Sequence, residues 1–436
     1  MGLLGLAGAE CRGGRSEDAT IRVDVAVSYQ TISGWEASES FAWRSPKAAM
    51  DSLMSVTVND LSINRLRLSF PGNMVESRDT VTMPNELREG TNDNADPHVL
   101  NPAGFRWELE DYLVETFVLP MKRRVEARGE PFILTATYVG SRTTSQYQQK
   151  DSAEYNEFML AVLDHLKTKY GIVPDIWEIR LEPDHGRNQM TPRQQGILLA
   201  GAGAAVRAAG YDKLTFSVPS TAVPHRTVQY LQGILSSPGT AEYIGEIGFH
   251  QYSAPSSEML TGIRDAAMKL GVPTGMMEYN KGTERELYQD LTPANVSVWS
   301  RFSLAGNVGG PDVGGQYFYV DVPDSSFRYR PSTWPLRQYF KYVRPGYVRV
   351  AAKADDDRVQ PTAFRRPDGG VIVVANLADS ATTRVRGLPA GRYLVTWAST
   401  AGRGDPGPPV TVGRGGILTM SIPRAATVTV SPADER

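Results

Sequence analysis

The chain is poor in the residues from which most disulfides and metal sites are built. It has one cysteine, Cys11, among 436 residues, so a disulfide within the chain is excluded, as is a zinc site with two or more cysteine ligands. Its five histidines include no pair at the four-residue spacing of an H-E-x-x-H site. The sequence therefore predicts no metal and no cofactor, and leaves open only an oxygen-ligated ion such as Ca²⁺.

An excess of charge of either sign is also missing. The 46 basic and 48 acidic side chains nearly cancel, which leaves a net charge of −2. Nucleic-acid binding calls for a basic excess, so we predict no nucleic-acid partner. No apolar run reaches the ~18 residues of a membrane-spanning helix. Apolar residues make up 41% of the chain, which is enough for a sizeable core, and we expect a globular monomer.

The N-terminal residues suggest export. Gly2 to Ala9 is a short run of small and apolar residues that ends Ala7-Gly8-Ala9, like the A-x-A cleavage site of a secretory signal, although a charged start is missing. Cys11 favours a lipoprotein as an alternative, but Glu10 fits that signal poorly. A plain disordered leader is the third interpretation. We predict that residues 1–20 are a leader or disordered segment and that the protein is secreted or periplasmic.

Short apolar strands alternate with amphipathic helices from Thr31 to Tyr342. This alternation predicts a parallel sheet with helices outside it, and eight strands are the number that a closed barrel needs. We therefore predict an α/β fold with a (β/α)₈ TIM barrel over residues 31–343. The predicted strands are Thr31–Ala37, Ile63–Phe70, Phe132–Val139, Asp175–Leu181, Leu214–Val218, Ile247–Tyr252, Gly275–Tyr279 and Gln316–Val320.

The helical pattern stops after Pro345. Seven short β-rich runs follow with turn residues between them, and Pro367-Asp368-Gly369-Gly370 is a strong hairpin signal. These features predict a C-terminal β-sandwich. Ile21–Val27 also alternates like a strand and could pair with that sheet. We therefore assign residues 21–30 and 344–436 to a β-sandwich side domain.

Two predicted barrel strands end in carboxylates. The fourth leads into Glu182 and the seventh into Glu278. Catalytic residues of such barrels lie at the C-terminal strand ends, and strands four and seven face each other across the mouth. Glycoside hydrolysis needs a carboxyl pair of this kind: one donates a proton to the leaving oxygen, and the other attacks the anomeric carbon or activates water. A separation of about 5–5.5 Å would indicate retention of configuration and about 6.5–9.5 Å inversion.

Five motifs extend this pattern along nearly the whole chain. They are the opening segment Tyr29–Ser38, the Glu182-Pro183-Asp184 segment, Met277-Glu278-Tyr279, His250-Gln251-Tyr252, and the junction Phe340–Tyr347. In this combination the chain resembles clan A of the glycoside hydrolases, and within it family 30. The resemblance implies an O-glycosyl hydrolase that acts on β-linked carbohydrate with net retention and without metal.

The same resemblance implies roles for single residues. Glu182 corresponds to the acid/base and Glu278 to the nucleophile, and Arg67 matches the arginine that keeps the nucleophile ionised. Leu181 departs from the pattern, because the clan has there an asparagine that binds the sugar 2-hydroxyl. This departure leaves open a carbohydrate-binding protein without catalysis on the same fold. A transglycosidase is a separate alternative, because it would use the same carboxylates and differ only in acceptor.

Further side chains at strand ends are candidates for binding substrate. Tyr138, His250 and Tyr252 are expected to line the cleft, as is Asp184 behind the acid/base, although a packing role is the alternative for each. One feature of the fourth strand is unresolved by sequence. Glu178, Arg180 and Glu182 would share one face of a regular strand, and such a charged face needs either a bulge or an ion pair.

Overall fold

The structure is a computed structural model, and it describes residues 19–39, 47–71, 105–139, 151–186, 189–307, 315–321, 326–404 and 406–433. Most of the predicted leader, residues 1–18, lies outside these ranges. The strands are β1 (Ala19–Thr31), β2 (Gly34–Ser38), β3 (Arg65–Pro71), β4 (Ile133–Val139), β5 (Ile176–Glu178), β6 (Thr215–Thr221), β7 (Ile244–His250), β8 (Thr274–Glu278), β9 (Val296–Ser300), β10 (Ser303–Asn307), β11 (Gln316–Asp321), β12 (Ser326–Tyr329), β13 (Val348–Ala354), β14 (Val359–Arg365), β15 (Val371–Leu377), β16 (Ala381–Arg386), β17 (Gly391–Ser399), β18 (Gly402–Gly404), β19 (Val410–Val412), β20 (Ile417–Ile422) and β21 (Ala426–Pro432). The helices are α1 (Lys47–Asn59), α2 (Glu108–Leu113), α3 (Leu119–Ala127), α4 (Ser152–Tyr170), α5 (Pro192–Ala208), α6 (Pro224–Leu235), α7 (Ser257–Leu270), α8 (Glu284–Leu291) and α9 (Thr333–Phe340), with a π-helical turn Val114–Val118 between α2 and α3 and a 3₁₀ turn Ala241–Tyr243 before β7.

Strands β2 to β9 form a closed parallel barrel in sequence order, which the pairing of β2 with β9 completes. The predicted fold class, a TIM barrel followed by a β-sheet domain, is confirmed. The prediction of the eighth strand was wrong. That strand is Val296–Ser300, whereas Gln316–Asp321 belongs to a separate three-stranded sheet with β10 and β12. Five residues after a short helix gave too weak a period to be recognised as a strand.

Side chains of the barrel strands divide strictly between its two faces, because successive residues of a strand point in opposite directions. In β3, Arg65 and Arg67 point into the barrel, while Leu66 and Leu68 are buried in the hydrophobic layer under the helices. In β4, Thr135 and Thr137 donate hydrogen bonds to inward carboxylates. The barrel interior therefore contains ion pairs and hydroxyl groups beside a few apolar side chains such as Met277, and the main hydrophobic core lies between the barrel and its helices.

The helices begin and end where their capping residues require. The carboxylate of Asp151 accepts a hydrogen bond from the Ala153 amide at the start of α4, and Gly171 ends that helix with a left-handed φ of 66°. None of the described helices is long and apolar enough to cross a membrane.

The second β-domain contains β1 together with the C-terminal strands. β1 lies between β13, to which it is antiparallel, and β16, to which it is parallel, so residues from both ends of the chain share this sheet. Register shifts near Asp24 and Ser28 bend β1. Its strands enclose one hydrophobic core that includes Val373, Val385 and Leu418. Side-chain hydrogen bonds from Thr429 and Asn376 attach the domain to α9 and α8 of the barrel layer.

Candidate active site

Glu278 is the last residue of β8, and two donors hold its carboxylate. A guanidinium nitrogen of Arg67, which points inward from β3, donates a hydrogen bond to Oε2. The hydroxyl of Tyr252, two residues beyond β7, donates to Oε1 at 2.7 Å. Arg67 and Glu278 are almost fully buried, while Tyr252 is 36% exposed and lies at the mouth. Both carboxylate oxygens therefore have a fixed direction.

Glu182 follows β5 after a change of backbone direction. The strand ends at Glu178, and Glu182 has a left-handed φ of 48°, a conformation that non-glycine residues seldom adopt. Its amide donates to the Ser220 carbonyl, and its Oε1 lies 2.9 Å from Nδ1 of His250. This turn answers the question left by the sequence: the alternation stops before Glu182, so the three charged side chains are not on one strand face.

Glu178 lies deeper, below these groups. Its carboxylate accepts hydrogen bonds from Thr137 at 2.8 Å and from Ser220, and it lies 3.7 Å from Arg67. The Ser220 hydroxyl is also 3.2 Å from Nε2 of His250. Glu178 and Ser220 were absent from our predicted site. The available signal was the strand alternation, which turns Glu178 and Arg67 toward the same interior, where a charge must have a partner.

The two candidate carboxylates face each other closely. One carboxylate oxygen of Glu182 lies within 4.8 Å of one of Glu278, and the ring of His250 lies within the same distance of both. Three such atoms could hold a metal ion by distance alone. Here the guanidinium of Arg67 already supplies positive charge to the group, since it contacts Glu278 and lies 3.3 Å from His250. We therefore interpret the group as a carboxylate pair with organic cations.

The surroundings shift the protonation of these groups in opposite senses. Burial acts to raise the pKa of Glu182, but the hydrogen bond and charge of His250 outweigh it, and the pKa lies below its usual value. Burial acts to lower the pKa of His250, but the negative charges of Glu278 and Glu182 outweigh burial and raise it. Burial and the charge of Glu278 raise the pKa of Tyr252, so its hydroxyl remains a donor. His250 and Glu182 thus form a pair in which each group stabilises the charged form of the other.

Two of the predicted substrate contacts are not part of this group. Tyr138 points away from the barrel axis and is fully buried, with its ring edge-on to Tyr155 and Phe158 of α4, so the prediction that it lines the cleft was wrong. Strand alternation places Tyr138 outward because Thr137 points inward. Asp184 is 6% exposed, and its Oδ1 accepts a hydrogen bond of 2.6 Å from the Ala222 amide. It holds the loop after Glu182 against the end of β6, which leaves almost none of its surface for substrate.

Comparisons of sequence and of structure relate this chain to known proteins. No protein family model matches the chain. Lysosomal acid glucosylceramidase of Mus musculus is 25% identical over 221 residues, which are 44% of this chain and 40% of that protein. Among solved structures, the catalytic domain of GH30 xylanase C from Talaromyces cellulolyticus superposes with a TM-score of 0.72 at 16% identity, covering 95% of this chain and all of the other. A glycoside hydrolase family 30 subfamily 8 xylanase from Clostridium acetobutylicum gives 0.68 at 19% identity, covering 96% of this chain and all of the other.

The chain has the fold of the family 30 glycoside hydrolases. The resemblance to clan A that the motifs indicate is therefore confirmed for the barrel and for the second β-domain together. The chain spans well under half the length of the mouse relative, and identities below 20% to the solved structures carry the fold and not the substrate. The reaction has to be argued from the carboxylates themselves.

Proposed function

We propose that the protein is a retaining glycoside hydrolase that cleaves β-linked carbohydrate. The observation that carries the proposal is the approach of Glu182 and Glu278, whose nearest oxygens lie within 4.8 Å. Retaining enzymes separate their carboxyl groups by about 5–5.5 Å, whereas inverting enzymes need about 6.5–9.5 Å to admit a water molecule. The separation supports direct attack by one carboxylate.

The hydrogen bonds support one assignment of the two roles. Glu278 is the nucleophile, because Arg67 and Tyr252 fix its carboxylate and give it no neighbour from which to accept a general-acid proton. Glu182 is the acid/base, because it shares a proton with His250 and its side chain is the more exposed of the two, at 20% against 7%. Glu278 attacks the anomeric carbon while Glu182 protonates the leaving oxygen. Glu182 then takes a proton from the water that releases the sugar.

Leu181 favours a second candidate, a glycan-binding protein without catalysis. Its amide donates to the Tyr138 carbonyl, and its apolar side chain offers no donor to a sugar hydroxyl. In clan A an asparagine at this position binds the 2-hydroxyl, a contact that strengthens in the transition state. A protein that retained the carboxylates but lost this contact would bind glycan and release little product.

The test is hydrolysis of a substrate panel by wild type and Glu278→Gln. The names of the similar proteins suggest β-xylan, β-1,6-glucan and glucosylceramide, to which we add aryl β-glycosides. We expect release by wild type and loss of about 10⁴-fold or more in the variant, since the covalent step is removed. Proton NMR of the first sugar released should show the β-anomer. The α-anomer would reject retention, and binding without release would favour the second candidate. Larger products at high substrate concentration would indicate a transglycosidase.

A further inference from the structure

A hydrogen-bonded chain runs from Glu182 down into the barrel and ends on a second carboxylate. Oε1 of Glu182 is 2.9 Å from Nδ1 of His250, and Nε2 of the same ring is 3.2 Å from the Ser220 hydroxyl, which bonds Oε1 of Glu178. His250 and Glu178 are fully buried, and Ser220 is 1% exposed. These groups are therefore shielded from bulk solvent.

The direction of each bond follows from the donors available. The carboxylate of Glu178 can only accept, so the single proton of Ser220 points toward it. The oxygen of Ser220 then has lone pairs to accept a proton from Nε2 of His250. Nη1 of Arg67 is a second neighbour of Nε2 at 3.3 Å. A guanidinium can only donate, so this contact favours an unprotonated Nε2 and competes with Ser220. The shorter contact to Ser220, at 3.2 Å, and the carboxylate of Glu178 beyond it favour a protonated Nε2, which leaves Nδ1 as the nitrogen that exchanges a proton with Glu182.

We propose that Glu178, acting through Ser220, is a positioning residue that fixes the tautomer of His250 and so keeps a proton on the His250–Glu182 pair. The inference rests on the proposed function, because the pair is the general acid of that reaction. A buried carboxylate that orients a histidine through its second nitrogen is a recurrent way to set which nitrogen reacts. Glu178 is fully buried, and Ser220 connects it to the pair; its charged neighbour is Arg67 at 3.7 Å.

The proton balance of the first step is then complete. Glu182 passes the one exchangeable proton of the pair to the glycosidic oxygen as the bond from that oxygen to the anomeric carbon breaks, and the oxygen keeps the bonding electrons. At the same time an oxygen of Glu278 bonds the anomeric carbon. Glu182 is left as a carboxylate beside neutral His250 with Nε2 still protonated, and the negative charge of Glu278 is lost into the ester, so total charge is unchanged. In the second step Glu182 takes a proton from the water whose oxygen replaces Glu278 at the anomeric carbon, and the pair regains its proton.

Several charges face this pair, and the negative ones support its retained proton. Removal of the Glu178 charge should therefore lower the pH at which the pair loses the proton. The surrounding charged and titratable groups are Arg67 on β3, Glu178 on β5, Arg180 beyond β5, His185 in the loop after Glu182, Tyr252 beyond β7, and Glu278 on β8.

The first measurement uses nitrogen-15 NMR of histidine-labelled protein, since the chain has only five histidines and His250→Gln assigns the signal. In wild type we expect Nε2 of His250 to be protonated from pH 5 to 9 and Nδ1 to titrate. In Glu178→Gln the midpoint should fall by about one pH unit, and in Ser220→Ala, which keeps the buried charge, the tautomer preference should weaken. The control is Glu246→Gln, a buried β7 carboxylate that bonds Arg65 and contacts neither His250 nor Glu182. It should leave the His250 titration unchanged.

The second measurement compares leaving groups. With Glu178→Gln we expect the alkaline limb of kcat/KM to move to lower pH and about a tenfold loss with phenyl glycosides, but little loss with dinitrophenyl glycosides, which need no acid. His250 signals identical to wild type in both Glu178→Gln and Ser220→Ala would overturn the proposal. The NMR measurement does not require turnover. If the protein is inactive on every substrate, the proposed function is rejected, but the spectra still show which nitrogen of His250 carries the proton. If Glu178→Gln does not fold, the His250 tautomer in Ser220→Ala tests the proposal.

Discussion

The hydroxyl of Tyr252 donates a hydrogen bond of 2.7 Å to Oε1 of Glu278, while Arg67 bonds Oε2 of the same carboxylate. Arg67 lies on β3 and Tyr252 lies just beyond β7, and these two strands are on different sides of the barrel. A carboxylate held in this way cannot rotate about its last torsion without losing both bonds. It is therefore set in one direction before substrate arrives, which is the condition for efficient attack.

Removal of the Tyr252 hydroxyl should slow the reaction while the fold is kept. A hydrogen bond to a charged group contributes about 1.5–3 kcal/mol, so Tyr252→Phe should lower kcat/KM by about 10- to 100-fold. The control is Tyr279→Phe, because the ring of Tyr279 packs edge-on against Tyr252 at 6.2 Å and makes no bond to Glu278. Steady-state kinetics on an aryl β-glycoside measure both. Equal losses in the two variants would mean that the bond from Tyr252 to Glu278 has no specific effect on the reaction.

If Glu182 is the general acid, the rate lost on its removal should depend on the leaving group of the substrate. A general acid contributes about 10²–10⁴-fold when the leaving group is a poor one and little when it departs unaided. Glu182→Ala should therefore form the glycosyl-enzyme from a dinitrophenyl glycoside at nearly the normal rate and then stall, because no base activates water. Burst kinetics would show the accumulation, and azide should restore turnover and give the β-glycosyl azide. An α-azide from Glu182→Ala, together with a β-azide from Glu278→Gly, would reverse the two assignments.

The sequence was sufficient for the fold class and for the expectation that Glu182 and Glu278 face each other, but not for the network beneath them. Strand alternation shows that Glu178 points inward, yet its partners come from β3, β4 and β6. Contacts of this kind depend on the relative register of the strands in the closed barrel, and no local sequence pattern predicts that register. The left-handed conformations of Glu182 and Ser220 were equally invisible, because neither residue type favours them. The eighth strand was missed because its five residues carry too little periodicity.

A substitution at Gly34 tests how much the packing at the start of the barrel contributes to stability. Its φ is 148°, and an added Cβ would lie 2.1 Å from Oδ1 of Asn64. That side chain accepts from the Trp35 amide and donates to the carbonyls of Ser33 and Pro131, so it joins the starts of β2, β3 and β4. Gly34→Ala should lower the free energy of unfolding by on the order of 3 kcal/mol, from strain and overpacking together.

The matched control for Gly34 is Gly171→Ala at the end of α4. Gly171 also has positive φ, at 66°, but an added Cβ would meet nothing within 4 Å. Only the backbone penalty of about 1 kcal/mol then applies. Urea unfolding followed by circular dichroism compares the two variants. A Gly34→Ala variant no less stable than Gly171→Ala would show that Asn64 can move aside without loss.

Asp60 gives a test of stability against pH. Its Oδ2 accepts hydrogen bonds from Tyr329 at 2.8 Å and from Arg337 at 3.0 Å, which connects the end of α1 to β12 and α9. Burial acts to raise the pKa of Asp60, but the bonds and charge of Arg337, with the Tyr329 bond, outweigh it and lower the pKa from 3.8 to about 2. A carboxyl whose pKa is lowered by folding stabilises the protein above its unfolded pKa, and the contribution is lost as the pH falls through the folded value.

Asp60→Asn should accordingly lower the Tm at pH 6, and the difference from wild type should shrink between about pH 4 and pH 2. Asp265→Asn is the control, since its partner Arg264 adjoins it on the surface of α7 and an exposed pair contributes little. Its Tm should match wild type at every pH. Calorimetry across this range decides the matter: a difference between Asp60→Asn and wild type that stays constant down to pH 2 would mean that the amide disturbs packing and that the charge of Asp60 contributes nothing.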